Sequence, residues 1–132
     1  MRTFLTTAVI LLLVAGAARG ARGQTGEDPC DPDAQRSQQL TACAERKLRE
    51  AAAGLKRVRD ELYTDLEPRS RAKFRAAERM WRGYRKSNCD AEASIYENGT
   101  IQPLIQLRCM TRVTRERADE LKAQFQTLHG TD

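Results

Sequence analysis

Histidine is nearly absent from this chain: the single one, His129, stands close to the C-terminus. A histidine-built metal cluster is therefore excluded, and so is a Ser-His-Asp triad deep in a fold. Aromatic residues make up only 5% of the sequence. That leaves too few large β-formers for a sandwich or a barrel. No glycine-rich phosphate loop and no Cys-His nucleophile arrangement is present. What is abundant is charge, at 31% of residues, with Ala, Arg, Leu and Glu dominant. This composition favours helices. A chain of 132 residues has room for one domain.

Residues 1–23 read as a secretory signal peptide. Arg2 supplies the positive start, Phe4 to Ala18 is an apolar run, and small residues follow from Ala15 to Gly23. The run is short of the ~20 residues that a spanning helix needs. Cleavage after Gly23, Gly20 or Ala17 fits equally. No Cys directly follows the apolar run, which argues against lipid attachment, and no Arg pair precedes it. The expectation is a periplasmic or secreted protein with no stable membrane anchor after cleavage. Removing Arg2, Arg19 and Arg22 lowers the net charge from 23 − 18 = +5 to 20 − 18 = +2. A basic precursor is then no argument for nucleic-acid binding. The remaining charges are mixed, as in Glu45-Arg46-Lys47-Leu48-Arg49-Glu50.

The body reads as three helices following an arm over 24–36, with the helical domain at 37–128. The first helix starts near Ser37, a candidate N-cap, and Pro68 closes it. Its stripe is Leu40, Ala44, Leu48, Ala51, Leu55, Val58, Leu62 and Leu66. The second starts near Ser70 as cap and runs to about Tyr96, with a stripe at Phe74, Ala77, Trp81, Tyr84 and Asn88. Trp81 and Tyr84 read as core rather than as a ligand platform. Asn98-Gly99 is a turn signal, and the turn also accounts for the sequon Asn98-Gly99-Thr100. The third helix begins near Pro103 and carries Leu104, Leu107, Met110, Thr114, Ala118, Leu121, Phe125 and Leu128. The first helix is expected to cover the groove between the other two.

Four cysteines in an exported chain read as two disulfides, with three pairings open in principle. Cys89 and Cys109 are equidistant from Gly99, so a helical hairpin turning there places them at one level. Their bridge closes a loop worth about 3 kcal/mol. Cys30 is left for Cys43. Within one continuous helix those two lie about 20 Å apart, too far for a bridge. The pairing therefore requires an extended segment that folds back, and Asp28-Pro29-Cys30-Asp31-Pro32-Asp33 fits one.

The run Ala77-Glu78-Arg79-Met80-Trp81-Arg82-Gly83-Tyr84-Arg85-Lys86-Ser87-Asn88-Cys89 resembles the aromatic-helix motif of the LprI-like lysozyme-inhibitor family. Cys109-Met110-Thr111-Arg112-Val113-Thr114-Arg115-Glu116-Arg117-Ala118-Asp119-Glu120-Leu121 resembles its second half. Ser37 to Cys43 matches the family's helix-one start, and the resemblance spans roughly Cys30 to Phe125. It marks Trp81, Tyr84, Arg85, Thr114 and Arg117 as motif residues. Two departures stand out. Ala52, Lys56 and Arg59 replace the family's Asp, Asn and Tyr in helix one, and Glu78 replaces a common Gln.

The fold class expected is all-α: a small disulfide-stapled three-helix domain with an extended N-terminal arm. The resemblance implies an exported bacterial protein that binds another protein, with lysozyme as the leading specific partner. The alternative is an envelope interaction or assembly module that does not inhibit lysozyme. Catalysis is not expected, nor is a cofactor or metal. Arg82, Lys86, Arg112 and Arg115 are the candidate partner contacts, because a lysozyme cleft is lined by carboxylates. Arg85 is a further candidate. Arg85 and Arg117 are also expected to pair within the helical hairpin, with Glu78, Asp119 or backbone carbonyls.

Overall fold

The computed structural model describes residues 28–31 and 36–130. The expected signal peptide and most of the arm lie outside the described residues. Three helices account for the body: α1 (Ser37–Asp65), α2 (Pro68–Ser94) and α3 (Gln102–Leu128). No strand occurs among the described residues. Both expected disulfides, Cys30–Cys43 and Cys89–Cys109, are formed.

The helix boundaries follow local chemistry that differs from the expected caps. Arg36, extended and without a capping hydrogen bond, precedes α1, and Ser37 is already helical. Pro68 does not close α1 from outside but opens α2, in the first turn, where a missing N–H leaves nothing unpaired. Glu67, just before it, is held extended with ψ 151°, as proline demands of its predecessor. Ser70 therefore lies inside α2, and α2 ends at Ser94 rather than near Tyr96. Arg71 covers the open end of α1. Its Nε donates to the Leu66 carbonyl at 2.7 Å and its NH2 to the Thr64 carbonyl at 2.9 Å. In the second connection the left-handed residue is Asn98, with φ 64°. Gly99 follows because a Cβ there would stand 3.0 Å from the Tyr96 carbonyl oxygen.

The layering also differs from expectation. α3 is the central helix, flanked by α1 and α2. α1 runs parallel to α3 and α2 runs antiparallel to it. α1 and α2 meet mainly at their shared turn, where the rings of Tyr63 and Phe74 lie 6.4 Å apart. A groove stays open between them.

The core has two parts. Leu55, Val58 and Leu62 of α1 bury against Ala118 and Leu121 of α3, with Leu66, Phe74, Trp81 and Phe125 around them. Cys89, Cys109 and Val113 form the second cluster, and Trp81 touches both. Tyr84 is not core, being 59% exposed, and Ala77 is exposed as well. The inward face of α2 is instead Glu78, Trp81, Arg85 and Cys89. Tyr84 lies about 100° around the helix from Arg85, enough to turn it to solvent. Leu128, at 55% exposure, lies beyond the packed part of α3.

Candidate functional site

Two polar contacts in the middle of the pair lock α2 to α3, beyond Gln106–Asp90 and Arg112–Glu92 nearer their turn. Glu78 is only 3% exposed although it is charged. Arg117 donates to its Oε1 from Nε at 3.1 Å and from NH2 at 2.9 Å, and reaches Glu120 with NH1 at 3.0 Å. Burial works against the Arg117 charge, but the two carboxylates more than offset it and raise its pKa. Asp119, the other expected partner, pairs with Lys122 instead. Arg85 lies over the Trp81 ring, 5.0 Å from its centroid. Its NH1 donates to the Thr114 hydroxyl at 2.9 Å, and that hydroxyl donates to the Met110 carbonyl at 2.6 Å. No carboxylate pairs with Arg85 among the described residues. Burial, with Arg82 nearby, lowers its pKa. The motif residues Trp81, Arg85, Thr114 and Arg117 are thus brought together inside the helical pair. Tyr84 is left outside.

The exposed cations divide into two grooves. Arg75, Arg79, Arg82 and Lys86 follow steps of four, three and four along α2, so they share one edge of the helix. This edge borders the α1–α2 groove of about 420 Å³, whose α1 wall carries Arg59, Asp60 and Tyr63. Lys86 pairs with Asp90, and Arg59 with Asp60. The Arg75 guanidinium stands over Tyr63, 5.4 Å from the ring centroid. Arg79 and Arg82 meet no carboxylate among the described residues. At the floor, the second carboxylate oxygen of Glu78 is buried without a hydrogen-bond partner.

Arg112 and Arg115 lie elsewhere, with Arg108 and Lys47, in a groove of about 400 Å³ between α1 and α3. Arg112 is anchored by Glu92 at 2.9 Å and by Glu116 at 3.5 Å. The four expected contact residues therefore do not form one surface. Arg59, Arg75 and Arg79 escaped the sequence reading, although the α2 spacing held a signal for the last two. Arg59 joins them only because α1 ends beside the start of α2.

No group of three or more metal-ligating side chains occurs among the described residues. No helix among them is long and apolar enough to cross a membrane. What the fold defines is a small, disulfide-stapled helical protein whose polar side chains either lock helices together or present cations outward. The chain belongs to the LprI lysozyme-inhibitor family, whose model matches residues 30–121. The family is described as one of lysozyme inhibitors, not of enzymes, and that description points to a protein-binding role. No curated protein and no solved structure matches the chain.

Proposed function

We propose that this protein binds and blocks a lysozyme, and that the cationic edge of α2 is the part that engages the enzyme. One observation carries the reading. Arg75, Arg79, Arg82 and Lys86 form a continuous stripe about 16 Å long on a rigid helix, and Arg79 and Arg82 have no internal partner. A lysozyme works through two carboxyl groups in a cleft. Guanidinium groups held on a helix can make charge-assisted, bidentate hydrogen bonds to such groups without first breaking bonds of their own. The Cys89–Cys109 bridge and the buried Glu78–Arg117 pair keep α2 from yielding on contact, which lowers the entropic cost of association. No catalytic step is assigned to the protein. Two structural disulfides fit an oxidising compartment, so the reading places it in the periplasm or outside the cell. The signal peptide at 1–23 belongs to the same reading.

The test is clearance of cell-wall suspensions by several lysozyme types, titrated with the oxidised protein, alongside direct binding. Stoichiometric inhibition of one type is expected. Arg79→Glu with Arg82→Glu should weaken it at least tenfold, since two buried charge-assisted contacts become repulsions. Absence of binding to every lysozyme type would overturn the reading in favour of another envelope partner. Inhibition unaffected by the double substitution would keep the activity and discard the α2 edge.

A further inference from the structure

The α1–α3 groove lies apart from the α2 edge and has its own construction. Arg108, Arg112 and Arg115 are spaced four and three residues apart, so they line one face of α3 over about 10 Å. Lys47 of α1 faces them, and the arm residues from Pro29 to Asp31 close one end. Four cations thus converge on about 400 Å³, and Asp31 is the acidic residue lining it. Lys47, Arg108 and Arg115 meet no carboxylate among the described residues. Arg112 is held in position by Glu92 and Glu116, so its guanidinium is already oriented. The arm wall is itself fixed twice, by the Cys30–Cys43 bridge and by Arg46 donating to Asp28 at 2.7 Å.

We propose that this groove is a binding site for a phosphate-bearing ligand with two or more negative charges. The argument is one of charge density. Three unpaired cations around a small volume outnumber the Asp31 carboxylate that lines it and repel one another, and a ligand carboxylate brings only one charge to offset them. A phosphate monoester or a pyrophosphate brings two or more charges in a compact group, with several oxygens for guanidinium forks. Such a group could be soluble or could head a lipid. The groove owes nothing to the lysozyme reading, since it shares no residue with the α2 edge.

The experiment titrates the exported, oxidised protein with inorganic pyrophosphate at low ionic strength, by calorimetry and by amide chemical shifts. One pyrophosphate per chain is expected, with orthophosphate binding more weakly and shifts confined to α3 near Arg108–Arg115 and α1 near Lys47. Arg108→Ser with Arg115→Ser should weaken binding by about tenfold or more, because each removes a charge-assisted contact. Both side chains are exposed, so the fold should survive, and unchanged helical circular dichroism checks this. Lys47→Ser is the second variant. Arg79→Glu with Arg82→Glu should leave pyrophosphate binding unchanged. Vesicles containing phosphatidic acid form the other arm. Retention on them that depends on Arg108 and Arg115 assigns the phosphate to a lipid, whereas pyrophosphate binding without retention assigns a soluble ligand. No saturable binding at millimolar pyrophosphate overturns the proposal. So does binding that survives the double substitution, or an aspartate-rich peptide that binds more tightly than pyrophosphate.

Discussion

Arg117 and Glu78 are 39 residues apart in sequence, yet two hydrogen bonds from the Arg117 guanidinium meet on a single oxygen of the Glu78 carboxylate. The pair joins the middle of α3 to the middle of α2 in a region where Glu78 is almost fully buried. At position 78 the motif resemblance leads one to expect Gln, and the chain has Glu instead. A glutamine could accept the same bonds but would bring no charge to Arg117.

Breaking this pair on one side should be costly. Glu78→Ala strands the Arg117 charge, and a loss of about 3 kcal/mol is expected, softened by the surviving bond to Glu120. Replacing both residues by apolar side chains of similar size, as in Glu78→Leu with Arg117→Met, should cost less than either single change. Urea unfolding of the double variant beside Glu78→Leu and Arg117→Met alone measures the difference. A double variant less stable than both singles would mean that a stranded charge is not what makes the single changes costly.

Thr114 is fully buried and gives Arg85 its hydroxyl acceptor. Thr114→Val keeps the volume and removes that acceptor. A loss of about 1–3 kcal/mol is expected, the cost of an unsatisfied half-buried donor. Combining it with Arg85→Met should recover part of the loss, and chemical denaturation of both variants reads the coupling.

The two disulfides should differ in accessibility. Cys89 and Cys109 are 0% and 1% exposed, whereas Cys30 and Cys43 are half-buried beside an open groove. Mild reductant should open Cys30–Cys43 first, as read by thiol alkylation and mass spectrometry. Full reduction should lower Tm by roughly 30 °C, given about 3 kcal/mol for each of the two loops. Simultaneous reduction of both bridges would contradict the burial difference.

Gly54 and Gly83 lie inside helices, and a Cβ at either would meet nothing within 4 Å. Their freedom serves no turn or close approach. Gly54→Ala and Gly83→Ala should each raise stability by up to about 1 kcal/mol, visible as a higher Tm.

The carboxyl of Asp28 is held below its ordinary value of 3.8, first by the Cys30 N–H and then by Arg46. Because the folded value lies below the unfolded one, the stabilising contribution is fully present above pH 3.8 and fades as pH falls through the folded value. An NMR titration should place the Asp28 midpoint below 3.8, and Arg46→Gln should move it back up. A midpoint unmoved by that substitution would leave the Cys30 N–H as the sole cause.

Much of this molecule was legible in its order of residues. Apolar spacing located three helices, and the symmetry of Cys89 and Cys109 about Gly99 identified their bridge. The prolines near Cys30 argued against a helix there; Pro29 and Cys30 lie in a turn closed by the Asp31 N–H on the Asp28 carbonyl, not in an extended segment, and the rest of the arm lies outside the described residues. These features are local, or depend on a single hairpin, so propensity and reach were enough to define them. The misreadings were of rotation and layering. Tyr84 and Ala77 share the helical spacing of Trp81, and periodicity alone does not say on which side of Trp81 the neighbouring helix lies. Only packing against α3 chose the side, turning Glu78 and Arg85 inward and Tyr84 outward. The same packing made α3 the central layer, opened the α1–α2 groove and distributed Arg82, Lys86, Arg112 and Arg115 over two surfaces. Sequence thus set the elements and their covalent staples. The tertiary structure decided which charges meet a partner inside the fold and which are left facing outward, because that depends on distances between residues tens of positions apart.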